Sequence, residues 1–116
     1  MKSKIEIAFD NCRKEKRAAL ITYTVAGDDT KNNSLRILNA VSKHADILEL
    51  GFPHNTPIAD GGQIQGSSHR ALKNGIKLKD VFQIVKEFKK KNPHKPIILM
   101  GYFNLVYQNG ENNFLK

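Results

Sequence analysis

The apolar positions of this chain change their period as it runs, and each change marks an element. Over residues 3–16, Ile5, Ala8, Phe9 and Cys12 recur at i, i+3, i+4 and i+7, which puts them on one face of a helix. Cys12 on that face reads as a small core hydrophobe. Residues 18–25 (AALITYTV) are rich in β-branched and aromatic side chains and run into Ala26-Gly27-Asp28-Asp29, which is turn chemistry, so they predict a buried strand. Helical spacing returns over 31–43, with Leu35, Leu38 and Val41 on one side and Ile37 beside them. Residues 46–50 (DILEL) predict a second strand, stopped by Gly51 and Pro53. After a long turn, 63–73 suits a short helix closed by Asn74-Gly75. The clearest helix is 78–91. Leu78, Val81, Phe82, Val85 and Phe88 make its apolar stripe, and Lys79, Gln83, Lys86 and Lys90 its wet face. Pro93 and Pro96 break the chain, 97–102 (IILMGY) predicts a third strand, and 104–113 (NLVYQNGENN) reads as a loop with a helix starting near Glu111.

The order is α, β-α, β-α-α, β. Continuously apolar strands alternating with helices imply an α/β fold whose parallel strands are covered on both faces. The pattern does not separate an open doubly wound sheet from a barrel. A length of 116 residues accommodates one domain with a core.

Composition adds exclusions. Apolar residues make up 40% and charged residues 26%, which is the balance of a folded chain rather than a disordered one. No apolar run approaches the roughly 20 residues of a membrane helix. The first residues alternate charge with apolar positions and lack the apolar core of a signal peptide, so a cytoplasmic protein is expected. The single cysteine excludes an internal disulfide and a cysteine-cluster metal site. The net charge of +8, from 19 Lys+Arg against 11 Asp+Glu, raises nucleic-acid binding as an alternative. The excess is mostly lysine, however, with Arg13, Arg17, Arg36 and Arg70 the only arginines, and no aromatic residues interleave with it for base stacking. Lys89-Lys90-Lys91 closes a helix, where positive charge offsets the helix dipole.

The candidate chemistry lies in two carboxylates. Glu49 falls one residue before the end of a strand that should be buried, where a carboxylate is costly unless paired or used. Burial raises a carboxyl pKa toward the range useful for acid–base work, and parallel α/β folds carry their sites at the C-terminal ends of strands. Asp60 follows eleven residues later in Pro57-Ile58-Ala59-Asp60-Gly61-Gly62. Alone it reads as a turn residue or a helix cap; with Glu49 it places a second acid at the same end of the sheet. Gly61-Gly62 has neither the P-loop nor the dinucleotide spacing. His44, His54, His69 and His94 have no metal-ligand spacing, and no metal site is expected.

The stretch Leu48-Glu49-Leu50-Gly51-Phe52-Pro53, then Pro57-Ile58-Ala59-Asp60-Gly61-Gly62-Gln63-Ile64-Gln65, then Arg70-Ala71-Leu72 and Gly75 resembles the tryptophan synthase alpha chain family. Thr22-Tyr23-Thr24-Val25-Ala26-Gly27-Asp28 resembles that family's first barrel strand and turn. Met100-Gly101-Tyr102-Phe103-Asn104-Leu105-Val106 resembles its third strand and loop. The resemblance runs over nearly the whole chain in order and spacing. It departs at His54-Asn55-Thr56, where many members carry an aromatic residue, Ser and Asp, and at Asp29, where proline is usual.

The resemblance implies a (β/α)8 TIM barrel and a lyase of L-tryptophan biosynthesis. That lyase cleaves indole-3-glycerol phosphate to indole and glyceraldehyde 3-phosphate. It also implies that Glu49 is the general acid/base acting at C3 of the indole ring, and that Asp60 holds the indole N–H. By the same likeness Tyr23, Met100 and Tyr102 lie on the indole-pocket side. His54, Asn55, Thr56, Pro57, Asn104 and Asn109 face a beta chain in an alpha2-beta2 tetramer. No cofactor belongs to the chain itself, pyridoxal phosphate being the beta chain's. A TIM barrel takes about 250 residues, and this chain supplies about three βα units after a leading helix. The expectation is a single domain over 1–116, the N-terminal portion of a barrel, inactive alone because the later phosphate-binding loops are missing. A half-barrel that assembles with another chain remains the other structural alternative.

Overall fold

A computed structural model describes residues 1–116. The chain forms α1 (Lys4–Lys14), β1 (Ile21–Val25), α2 (Lys31–Ser42), β2 (Ile47–Gly51), α3 (Gly62–Lys73), α4 (Leu78–Lys91), β3 (Ile97–Met100), α5 (Phe103–Asn109) and α6 (Glu111–Phe114). Local chemistry fixes the helix starts. Ser3 and Glu6 cap α1 reciprocally: the Glu6 N–H donates to Ser3 Oγ at 3.2 Å, and the Ser3 N–H donates to Glu6 Oε2 at 2.6 Å. Thr30 Oγ1 accepts the Asn33 N–H at 3.0 Å at the head of α2. Asp80 accepts the Lys77 N–H at 2.9 Å at the head of α4. No helix is long and apolar enough to cross a membrane.

The three strands are parallel in the order β1-β2-β3. Tyr23 lies opposite Glu49, and Glu49 opposite Ile98, so these three share one face. Leu48 and Leu50 point the other way, where α2 and α4 meet them. Leu38, Ala45, Leu48, Leu50, Phe52, Val81, Ile84 and Phe88 form the buried core there with Ala26. Ile84 belongs to that core although the sequence stripe of α4 leaves it out.

Several elements differ from what periodicity alone predicts, for related reasons. The sheet is fully covered on one face, while its second face is open in part, Val25 and Ile47 being buried there. On that second face Ile21 is 44% and Met100 47% exposed, because three strands cannot curl far enough to enclose their own inner side chains. β1 and β3 are edges, so each is shorter than its apolar run and neither is fully buried. On α1 only Cys12 is buried, while Ile5 and Phe9 are exposed. This helix lies across the N-terminal ends of the strands instead of on a sheet face. Arg17 makes a two-pronged bond to Asp46 just before β2, at 2.8 Å on each oxygen, and Lys4 Nζ donates to Pro93 O at 2.7 Å. Residues 104–109, expected as loop, are helical, since Leu105 and Val106 find core contacts that a composition of Asn and Gln does not announce. The Lys run of α4 also has local work: Lys89 Nζ donates to Lys95 O at 2.7 Å, and burial lowers its pKa.

Candidate active site

The C-terminal ends of the strands gather the residues singled out in the sequence. Glu49 is the third residue of β2, half-buried on the open face between Tyr23 and Ile98. Two residues on, Gly51 has no side chain, and that space is taken by the Tyr23 ring: a Cβ at Gly51 would lie 2.1 Å from Tyr23 Oη. The phenol therefore crosses above the end of β2. Burial pushes its pKa up, and the negative charges of Asp60 and Glu49 push it the same way.

Asp60 is fixed by its backbone and its side chain separately. Its N–H donates to Pro57 O at 3.1 Å, closing a tight turn, and its carbonyl accepts Gln65 Nε2 at 2.7 Å. Its carboxylate does not cap α3; Gly61 occupies that position without a side-chain bond. Instead Oδ2 accepts from the Tyr102 hydroxyl at 3.3 Å, and the same phenolic oxygen accepts the Ala59 N–H at 2.9 Å. Tyr102 follows the end of β3 and also packs against His54, with ring centroids 5.2 Å apart.

Between these groups lies a cavity of about 130 Å³ bounded by Tyr23, Phe52, His54, Asp60, Met100 and Tyr102. All three residues expected to line an aromatic pocket border it, as does one of the two acids. Glu49 does not border it and stands next to it on the open face. Sites for small organic ligands usually enclose about 300–1,000 Å³, so this cavity is one wall of a site rather than a whole one. No group of three or more His, Cys, Asp or Glu side chains is arranged to hold a metal.

The residues expected to face a partner divide. Asn55 and Thr56 are exposed, with Thr56 Oγ1 donating to Asn55 Oδ1 at 3.1 Å, and Asn104 and Asn109 are exposed on α5. Pro57 is half-buried, and His54 packs on Tyr102 beside the cavity. Sequence reasoning gave no role to Phe52, which is 5% exposed beneath Gly101, where a Cβ would come within 2.2 Å of its ring. It also missed the pairing of Arg70 with Asp28, where Nε and Nη2 donate to the two carboxylate oxygens at 2.8 and 2.9 Å and hold the Asp28 carboxyl below its usual range. Both residues lie in the quoted motifs, yet 42 residues separate them and no spacing rule pairs them.

The sequence profile of the tryptophan synthase alpha chain family matches residues 9–116. The tryptophan synthase alpha chain of Pelagibacter ubique (strain HTCC1062) is 66% identical over 114 residues, covering 98% of this chain and 43% of the relative. That of Pyrococcus furiosus is 49% identical over 100 residues, 86% of this chain and 40% of the relative. Among solved structures, the crystal structure of tryptophan synthase subunit alpha from Legionella pneumophila str. Paris superposes with a TM-score of 0.94 at 33% identity, covering 98% of this chain and 44% of the other. The chain thus spans less than half the length of the relatives it matches, and its three parallel βα units correspond to the N-terminal part of a TIM barrel.

Proposed function

The chain belongs to the tryptophan synthase alpha chain family, and from that premise we propose that it contributes the acid-bearing part of a cytoplasmic lyase. The lyase cleaves indole-3-glycerol phosphate to indole and glyceraldehyde 3-phosphate. The observation that carries this reading is that Tyr23, paired with Glu49 in the sheet register, borders the same aromatic-walled cavity as Asp60 at the C-terminal end of a parallel sheet.

In the proposed reaction Glu49 delivers a proton to C3 of the indole ring. The ring becomes an iminium cation, and the Asp60 carboxylate accepts a hydrogen bond from its N–H and stabilises that charge. The side-chain hydroxyl next to C3 then gives its proton to the Glu49 carboxylate left by the first step, as the carbon–carbon bond breaks. The bonding pair returns to the ring as indole leaves, and the hydroxyl carbon becomes the aldehyde. Tyr23, Met100 and Tyr102 provide apolar wall against the ring. Residues 1–116 form a single domain in this reading and are inactive alone, since a cavity of about 130 Å³ and an open sheet face leave most of the substrate without contacts.

The loop carrying Asn55 and Thr56 and the helix α5 carrying Asn104 and Asn109 face a beta chain, as do His54 and Pro57 at the base of that loop. The relative from Pyrococcus furiosus has been described in an a2b2 complex. Pyridoxal phosphate belongs to that partner, and this chain carries no cofactor of its own.

The test is Glu49→Gln in the full chain with its partner. General acid–base catalysis is worth about 10²–10⁴ in rate, so indole release should fall by at least about a hundredfold while substrate affinity changes little. Turnover close to that of the unaltered protein would remove Glu49 from the chemistry.

A further inference from the structure

Asp60 has its backbone held on both sides, by Pro57 O and by Gln65 Nε2, but neither bond fixes where its carboxylate points. The residue stands just before a helix, where an aspartate would ordinarily fold back to cap the first N–H groups. It does not do so: Gly61 is the cap, and the carboxylate is turned toward β3. One group holds it there. The Tyr102 oxygen accepts the Ala59 N–H at 2.9 Å and donates its own proton to Asp60 Oδ2 at 3.3 Å. Its ring meanwhile packs on His54 at the other end of the same loop. The 3.3 Å bond is longer than the usual range of about 2.5–3.0 Å for O–H···O, as catalytic hydrogen bonds often are before substrate arrives.

We infer that Tyr102 is a positioning residue for Asp60: its phenolic oxygen, using donor and acceptor functions at once, ties the 53–61 loop to the end of β3 and aims the carboxylate into the cavity. This rests on the reading of Asp60 given above and assigns the oxygen of Tyr102 a task separate from that of its ring. The ring needs only to be apolar wall. The oxygen completes a chain running from backbone amide to phenol to carboxylate, with every proton accounted for: the amide gives its hydrogen to the phenol, and the phenol gives its own to the acid. Without the oxygen, the Asp60 side chain is free to swing back over the amides at the head of α3.

The substitution Tyr102→Phe keeps the ring and removes the oxygen. In the full chain with its partner, indole release should fall about tenfold in kcat with KM changed less than about threefold, because the carboxylate matters most when the ring is cationic. Since the effect passes through Asp60, the same substitution made in an Asp60→Asn background should cost nothing further. Independently of activity, the Ala59 amide should exchange its hydrogen faster in Tyr102→Phe, having lost its acceptor. Wild-type kcat together with unchanged Ala59 exchange would overturn the proposal, and so would a loss that multiplies fully with that of Asp60→Asn. Full turnover by Asp60→Asn alone would instead defeat the proposed role of Asp60. The Ala59 exchange rate would then decide the tie between loop and strand, faster exchange upholding it and unchanged exchange refuting it.

Discussion

Gly101 lies between the end of β3 and α5, and a methyl group there would sit 2.2 Å from Phe52 Cε2 and 2.4 Å from Cδ2. Apolar carbons in contact settle at about 3.5–4.0 Å, so ring and methyl would have to separate by more than about 1 Å. The Phe52 ring cannot simply turn aside. It is 5% exposed, belongs to the core, and meets the Phe114 ring at 5.6 Å. Overpacking of this kind costs about 1–3 kcal/mol. The glycine does not occupy a positive-φ conformation, so alanine carries no backbone strain and restricts the unfolded chain, which returns about 0.4–1 kcal/mol. Gly101→Ala should therefore destabilise the intact protein by about 1–2 kcal/mol, read as a lowered urea midpoint by circular dichroism with an unchanged slope. Gly62→Ala is the matched control. Nothing lies within 4 Å of its added methyl, so the same unfolded-state gain should appear undiminished as a small stabilisation. Adding Phe52→Leu to Gly101→Ala should recover part of the loss. A Gly101→Ala protein as stable as the unaltered one would refute the reasoning, because it would mean that the ring yields at no cost.

Three further outcomes follow from the packing and the charges. Phe88 is fully buried in the core beneath β2, so Phe88→Ala should cost about 3–5 kcal/mol and Phe88→Leu under about 1.5 kcal/mol, measured by the same unfolding curves. Thr24 Oγ1 is buried without a hydrogen-bond partner, so Thr24→Val should leave stability unchanged or raise it by about 1 kcal/mol, where a comparable loss would show that the hydroxyl is satisfied. Arg17 and then the Leu20 N–H hold the Asp46 carboxyl well below the usual carboxylate range. A folded-state pKa depressed in this way contributes stability that is fully present above the unfolded value of about 3.9 and is lost as pH falls through the folded value. The stability gap between the unaltered protein and Asp46→Asn should therefore be largest near pH 7 and shrink below about pH 4; a gap independent of pH would exclude the ion pair as its source.

The element order was legible in the sequence because it depends on local periodicity and on turn residues. α4 spans the predicted 78–91, since its stripe, its acidic first turn and its lysine-rich last turn agree with one another. Asn74-Gly75 stops α3 as expected, Gly75 taking φ +81°. The family likeness was equally local, carried by the runs around Glu49 and Asp60 and matched over residues 9–116.

What local periodicity did not disclose were properties of the assembled sheet; the open edges followed only from counting three strands where a barrel needs eight. Periodicity marks β1 and β3 as apolar but not as edges; only the pairing order leaves Ile21, Ile98 and Met100 uncovered. It marks an apolar face on α1 but not that the helix lies across the strand ends, where Arg17, just before β1, meets Asp46, just before β2. The placing of Tyr23 beside Glu49 and around one cavity with Asp60, the crossing of the Tyr23 ring over Gly51, and the tie from Ala59 and Asp60 to Tyr102 join residues up to 43 positions apart. Such contacts arise because a parallel sheet brings the C-terminal ends of successive strands side by side, about 4.8 Å apart, however much chain runs between them. The sequence by itself set the strands, the helices up to α4 and which acid stands at a strand end; the tertiary structure decided α5 and which residues touch.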